Sequence, residues 1–250
     1  MRIREIGLFV LMLAPVWAPP AAAGPFGAWA AVVVAGDDRG DAGEQAEVFD
    51  NARRDIARRL VQIGFEPGNV RQFSAQPGRY IEPTLRSEFQ VLRSAMDEIT
   101  RIARGGCFVY FTSHGTPQGV GLGNQLLAPE GMAAFLADAC PDRLTVVIVS
   151  ACYSGVFVPA LAAPNRMVLT AARHDRNSFG CSNDFTYTYF DQCILESFPA
   201  SRTFPDLAVN ARACVAAREE AEGVEVPSEP QLFIGDRAAP LLELYSLAPG

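Results

Sequence analysis

One cysteine and one histidine of this chain each follow an apolar run, and a small residue precedes each of them. Cys152 stands in the hexapeptide SACYSG directly after the run 144–149, and His114 stands in the tripeptide SHG after the run 107–112. A thiol becomes a strong nucleophile when a neighbouring imidazole takes its proton or stabilises the thiolate. The same imidazole can then protonate a leaving amine. The two residues therefore suit acyl transfer if the fold brings their side chains together.

Main-chain donors stand beside both side chains. Gly115 follows His114, and a glycine lets the backbone approach a substrate carbonyl closely because it has no side chain. We expect the N–H groups of Gly115 and Cys152 to form an oxyanion hole, which would stabilise the charge that develops on the carbonyl oxygen during attack.

The elements that must position these residues alternate between apolar strands and amphipathic helices. We predict strands at 28–35, 70–73, 107–112, 144–150, 167–171 and 231–234. We predict helices at 47–63, 83–103, 129–139, 187–197 and 206–220. Continuous apolar strands separated by helices favour a mostly parallel α/β sheet that is covered on both faces. Ligands bind such sheets at the carboxyl ends of the strands, so His114 and Cys152 are expected at one rim of adjacent strands.

The length and the net charge limit the classes of protein to which the chain can belong. The chain has 250 residues, of which 49% are hydrophobic, and this is enough for one domain with a sizeable core. The formal net charge is -7, and the sequence contains no cluster of Lys and Arg. A nucleic-acid or anionic-membrane surface would need such a cluster, so we expect neither nucleic acid nor an anionic membrane surface as a partner.

The start of the chain has the features of a secretory signal peptide. The first residues, MRIR, are basic, 7–18 is apolar, and an alanine-rich stretch ends at Ala23. A membrane span needs about 20 apolar residues, so a signal peptide at 1–23 is favoured over an uncleaved anchor. We therefore predict a mature domain at 24–250 that is exported to the periplasm or the outside of a bacterial cell, without stable insertion in the membrane.

Six cysteines in an exported chain raise the question of which are paired. Cys107 begins one predicted strand and Cys140 precedes the next, so both would lie at one end of neighbouring strands, where a disulfide suits them. Cys152 lies at the opposite, carboxyl end of its strand and is expected to stay reduced. The pairing of three further residues stays open: Cys181, Cys193 and Cys214.

The motifs around the cysteine and the histidine resemble those of the legumain-like peptidases, family C13 of the caspase-like clan. Three motifs occur in the family's order: YFTSHG at 110–115, SACYSG at 150–155, and TAA at 170–172, which is followed by SFGC. The resemblance extends over nearly the whole mature chain and is greatest to small bacterial members.

This resemblance implies a fold, a mechanism and a class of substrate. The fold would be a caspase-like three-layer sandwich with a six-stranded sheet in the order 2-1-3-4-5-6 and helices on both faces. His114 and Cys152 would be the catalytic dyad of a cysteine endopeptidase, acting on peptides or proteins through a thioester acyl-enzyme. An amine can also resolve that intermediate, which would give transpeptidation. Neither a metal nor an organic cofactor is implied.

The residues expected to set specificity differ from those of plant and animal legumains, which cut after asparagine. Those enzymes carry an acidic residue two positions before the nucleophile and an Arg-His pair near the first helix, where this chain has Ser150 and Val48-Phe49. A preference for asparagine is therefore not expected. An acidic pocket would suit Arg or Lys. The side chains predicted to line the substrate pocket are Asp37, Asp38, Ser150, Ser178 and Asp184.

Several alternatives stay open from the sequence. Cys152 alone could be a small buried apolar residue rather than a nucleophile. Its Ser-x-Cys-x-Ser setting also resembles the nucleophile elbow of an α/β-hydrolase, but that fold needs a histidine late in the chain, and none follows His174. A non-catalytic binding module that kept the fold is the third alternative. His174 itself is expected to be a solvated loop residue.

Overall fold

Ten strands form two sheets in the computed structural model, which describes residues 24–248. In chain order they are β1 (Trp29–Ala35), β2 (Val70–Ser74), β3 (Leu85–Arg86), β4 (Gly106–Thr112), β5 (Gly115–Thr116), β6 (Gly119–Leu122), β7 (Gln125–Leu127), β8 (Leu144–Ser150), β9 (Arg166–Thr170) and β10 (Gln231–Ile234). Strands β5, β6 and β7 form a small antiparallel sheet, and the others form the central sheet. The predicted signal peptide, 1–23, lies outside the described residues.

The central sheet has the strand order β10-β9-β8-β4-β1-β2-β3. All neighbours are parallel except β10, which runs antiparallel to β9. The six predicted strands therefore occur in the order 2-1-3-4-5-6, and the predicted α/β class with a mostly parallel sheet is confirmed. One detail differs, because the two-residue strand β3 extends the sheet to seven strands beside β2.

Helices cover both faces of this sheet. They are α1 (Val48–Gln62), α2 (Phe89–Ile102), α3 (Pro129–Ala139), α4 (Phe157–Leu161), α5 (Tyr189–Ser197), α6 (Phe204–Ala221) and α7 (Ala238–Leu242). Side chains of α1, α5, α6 and α7 share one buried cluster with Val33 of β1, and those of α2, α3 and α4 share another with Val32. Within residues 24–248, no helix combines the length and the apolar composition that a membrane crossing requires.

The second helix begins later than its apolar spacing predicted. The prediction started at 83, but α2 begins at Phe89 because the preceding residues form β3. Leu85 pairs with Phe73 of β2, and the Ser87 hydroxyl donates a 2.7 Å hydrogen bond to a carbonyl of β1. These tertiary contacts hold an extended conformation, which local spacing cannot reveal.

Two disulfides join elements of the described part of the chain. Cys107, in β4, bonds to Cys140, directly after α3, so this predicted pair is confirmed. Cys193 of α5 bonds to Cys214 of α6, which decides the pairing that the sequence left open. Two cysteines are free, Cys152 as predicted and the buried Cys181.

We expect the double variant Cys107→Ala, Cys140→Ala to lose about 3 to 4 kcal/mol of unfolding free energy, because its unfolded chain is no longer closed into a long loop. The two residues are 33 positions apart in the chain. Urea denaturation of oxidised wild type and variant measures the difference. Equal urea midpoints for the two proteins would contradict the pairing.

Candidate active site

The carboxyl ends of β4 and β8 bring the histidine and the cysteine to one rim of the central sheet. The two strands are parallel neighbours, and Thr112 of β4 pairs with Ser150 of β8 at the last position of their register. His114 and Cys152 each stand two residues beyond this pair. The adjacency of strand ends on which the predicted dyad depends is therefore present.

The His114 ring is held by a carbonyl and by an aromatic side chain. Its Nε2 lies 2.9 Å from the carbonyl oxygen of Arg39. A carbonyl oxygen only accepts hydrogen bonds, so Nε2 carries the hydrogen and Nδ1 of the neutral ring keeps a free lone pair. The ring also packs edge-on against the buried Phe49, with 5.1 Å between ring centroids. One tautomer and one orientation of the imidazole are thereby favoured.

The loop after β1 fixes the position of that carbonyl. Arg39 forms an isolated antiparallel bridge with Gln45, which closes the loop on itself. At the start of the loop, the Asp37 carboxylate accepts hydrogen bonds from the N–H groups of Asp38 and Arg39 at 2.7 and 3.1 Å. Asp37 therefore orders the segment that orients the imidazole.

A tight turn presents the cysteine at the end of β8. Tyr153 has a φ of 57°, in the left-handed region that a side chain such as tyrosine rarely adopts. Its N–H donates to the Arg176 carbonyl at 2.8 Å, which ties the turn to the loop after β9. From the other side Gly115 lies so close that a Cβ there would be 2.1 Å from the Cys152 carbonyl oxygen. Only a glycine at this position lets the two motifs approach each other.

The thiol of Cys152 rests in a partly buried position. Its Sγ accepts a hydrogen bond from the Ser178 N–H at 3.2 Å. Burial raises the pKa of the Cys152 thiol, the Ser178 hydrogen bond opposes this rise, and the negative charge of Asp41 adds to it. The thiol is therefore mainly protonated at neutral pH. Among the described residues, no hydrogen bond joins this sulfur to the His114 ring; such bonds often tighten only when substrate binds.

A buried polar cluster, formed by Tyr110, Thr112, Ser150, Thr188 and Asp191, lies beneath this rim. The hydroxyls of Tyr110 and Thr112 donate to the two carboxylate oxygens of Asp191 at 2.7 and 2.6 Å. Thr188 caps α5 by accepting the Asp191 N–H at 3.0 Å, and the Ser150 hydroxyl lies 3.3 Å from the Thr188 hydroxyl. Burial raises the pKa of Asp191, although these hydroxyl donors oppose the rise. The cluster joins the ends of β4 and β8 to the start of α5.

Two of the predicted substrate-contact residues line a cavity beyond the carboxyl end of β1. This cavity has a volume of about 570 Å³ and contains the half-buried Asp37 and Asp38 in its wall. Its remaining wall comes from the loop after β1, from the ends of β2 and β3 and from the turn between β6 and β7: Arg39, Ala75, Gln76, Arg86, Ser87, Glu88, Gly123, Asn124 and Gln125.

The other three predicted contact residues lie outside the wall of that cavity. Ser150 belongs to the buried polar cluster, and Ser178 touches the thiol through its main chain. Asp184 is exposed and interacts with the Ser182 hydroxyl. His174 is exposed, as predicted for a loop residue.

Two groups that hold the site in place were not found from the sequence. The Arg39 carbonyl is a main-chain group and leaves no signal in residue types. Asp191 carries a charge inside a segment predicted to be an amphipathic helix, where acidic residues are normally solvated. The position of Asp191 in the first turn of a helix with many apolar residues was the signal that could have indicated a buried carboxylate.

Comparison with known proteins agrees with this geometry. A crystal structure of caspase-1 from Spodoptera frugiperda matches with a TM-score of 0.60 and 13% identity, covering 90% of this chain and 94% of that chain. At this identity the likeness shows the fold, which is caspase-like. Residues 87–204, which include His114 and Cys152, match the model of the Peptidase C13 family. The matched segment, a little under half of the chain, is therefore similar to the C13 family.

The class of enzyme follows from the family match and the fold together. The chain is a cysteine-type peptidase, and its substrates are peptides or proteins. Both findings favour this class over the α/β-hydrolase alternative. A comparison of the chain with curated proteins gave no match.

We expect Tyr110→Phe to lower the unfolding free energy of the protein by about 1.5 to 3 kcal/mol, because it deprives a buried carboxylate of a hydroxyl donor. Tyr187→Phe is the matched control, since Tyr187 also donates to a carboxylate, that of Asp55, but at a partly buried position. The control should lose under about 1 kcal/mol. Urea denaturation at neutral pH compares the two, and a larger loss in the control would contradict the assigned role of the cluster.

Proposed function

We propose that this cysteine-type peptidase is an endopeptidase in which Cys152 attacks the substrate carbonyl and His114 accepts the thiol proton. The register of β4 with β8 carries this proposal, because it brings both motifs to one rim at matching positions. The orientation of the imidazole supports it further. With Nε2 donating to the Arg39 carbonyl, Nδ1 is the nitrogen available as a base.

The protonation state of the thiol suggests how attack begins. Because burial raises the pKa of the Cys152 thiol, the free enzyme holds a neutral thiol rather than a thiolate–imidazolium pair. We infer that the proton moves from Sγ to His114 as the sulfur–carbon bond forms. The Arg39 carbonyl dipole then faces the resulting imidazolium and stabilises its positive charge.

The later steps use the same groups. The N–H groups of Gly115 and Cys152 would stabilise the oxyanion of the tetrahedral intermediate, and the contact of Gly115 with the Cys152 main chain supports this pairing of donors. The imidazolium returns its proton to the leaving amine as the carbon–nitrogen bond breaks. A thioester acyl-enzyme remains, which water hydrolyses or an amine resolves by transpeptidation.

We also propose that substrate contacts come from both sides of the dyad. Asp37 and Asp38 would act through the cavity on the β1 side. Ser150, Ser178 and Asp184 would act from the side of the loop after β9. The cavity wall contains three carboxylates and two guanidinium groups, so its charge balance favours a basic substrate side chain, Arg or Lys.

Export is a further part of the proposal. The two disulfides are of the kind that persists in oxidising compartments, which supports a periplasmic or extracellular location. The signal-peptide hypothesis for 1–23 fits the same route.

Substitution of the proposed dyad tests the function. We expect Cys152→Ala and His114→Ala each to lower kcat/KM on a cleaved fluorogenic peptide by at least about 10⁴-fold, because each removes one member of a cooperative unit. The double variant should lose little more than either single one. His174→Ala is the matched control for the histidine and should keep activity within about twofold, as its side chain is exposed.

The outcomes separate the alternatives. An inactive His174→Ala beside an active His114→Ala would mean that the base has been assigned wrongly. If the folded wild type cleaves no peptide in a broad library, the alternative of a non-catalytic binding module is favoured instead. Circular dichroism of each variant verifies that it is folded.

The pH dependence of thiol alkylation tests the neutral resting thiol. In a Cys181→Ser background Cys152 is the one unpaired cysteine, since the other four are bridged. A raised pKa means that the thiolate appears at higher pH than in an ordinary cysteine, so the alkylation rate should rise with a midpoint above about 8.5. The denatured protein, with a midpoint near the ordinary value, is the control. A midpoint below neutrality would show a preformed ion pair instead.

A further inference from the structure

Three different metal-binding side chains converge beside the proposed dyad. Asp41, His114 and Cys181 each offer a ligand atom, and the three atoms lie within 4.8 Å of one another. We propose that these residues bind Zn²⁺ and that the bound ion reversibly inhibits the peptidase. The inhibition rests on the proposed role of His114, whereas the binding does not.

The donor set matches the preferences of zinc. Carboxylate oxygen, imidazole nitrogen and thiolate sulfur are its usual protein ligands, with bond lengths of about 2.0 to 2.3 Å. A tetrahedral ion with such bonds sets its ligand atoms about 3.3 to 3.8 Å apart. The observed separations are up to 4.8 Å, so a small contraction closes the site. Asp41 is exposed near the tip of the loop after β1 and can supply that movement.

The imidazole already has the outer contact that a metal-bound histidine requires. Histidine ligands usually donate their second N–H to a carbonyl or carboxylate, which fixes the tautomer. Here Nε2 lies 2.9 Å from the Arg39 carbonyl, so Nδ1 is the nitrogen with a lone pair for the ion. The same atom is the proposed base.

Cys181 is the residue that distinguishes this site from binding at the dyad alone. It is free and buried, and its main chain lies against Gly40 of the loop that carries Asp41. When zinc binds, the Cys181 S–H bond breaks, its proton passes to water, and the sulfur electron pair forms the S–Zn bond. A water molecule completes four-coordination.

Occupancy of this site would stop the chemistry of the dyad. A metal-bound Nδ1 has no lone pair, so it can neither accept the Cys152 proton nor return one to a leaving amine. The structure thereby assigns the ion an inhibitory role, and a chelator should restore activity. Neither Cys181 nor Asp41 transfers a proton or forms a bond in the uninhibited reaction.

Metal binding is tested first in a protein that cannot react. Co²⁺ added to Cys152→Ala should give a thiolate-to-cobalt charge-transfer band at one ion per chain, and Zn²⁺ should abolish the band by displacement. The band should be lost in Cys152→Ala, Cys181→Ser. Asp41→Asn should weaken binding at least tenfold, whereas Asp142→Asn, at an exposed aspartate elsewhere, should leave it unchanged.

Inhibition is then measured in the active enzyme. Zn²⁺ should inhibit wild type and His174→Ala alike, while Cys181→Ser should cleave peptide within about twofold of wild type and need at least tenfold more zinc for half inhibition. A band that disappears with Cys152→Ala but survives Cys181→Ser would overturn the proposal, since the metal would then sit on the dyad thiol. Cobalt binding through Cys181 in a protein that cleaves no peptide would leave the site standing and refute the proposed function instead.

Discussion

The parallel ladder between β4 and β8 is the constraint on which the site depends. It pairs seven residues in register, from Gly106 with Leu144 to Thr112 with Ser150. Every residue of both strands is buried, and alternate residues pack in two different clusters, so a slip by one position would exchange the side chains of the two clusters. The positions of His114 and Cys152 are therefore determined by the packing of these two strands in the core.

The buried polar cluster adds a second restraint at the same place. An ionised Asp191 is costly in the interior, and its hydroxyl partners recover only part of that cost. These hydrogen bonds join the ends of β4 and β8 to α5, and this limits fraying of the strand ends. Cys193 of α5 is in turn bridged to Cys214 of α6, so the buried polar cluster is connected through α5 to α6.

Much of this architecture could be predicted from the sequence because buried parallel strands are continuous apolar runs. That signal located β4 and β8 and led to the prediction that His114 and Cys152 share one rim, whereas the strand order was implied by the family resemblance. Short elements were not predicted. Strand β3 and the three-stranded sheet β5 to β7 are stabilised by pairing with other strands, and their sequences show no clear strand pattern. The contacts of Asp38 and Asp184 depend on loop conformation, which residue types alone do not determine.

The use of the Arg39 carbonyl to orient His114 has a consequence for how such a site can evolve. A main-chain oxygen is supplied by every amino acid, so substitution at position 39 leaves the orienting atom in place while the loop keeps its shape. The Arg39 side chain, by contrast, lines the cavity that contains Asp37 and Asp38. Substitutions at this one position can therefore change the lining of the cavity while the orientation of the His114 ring stays the same.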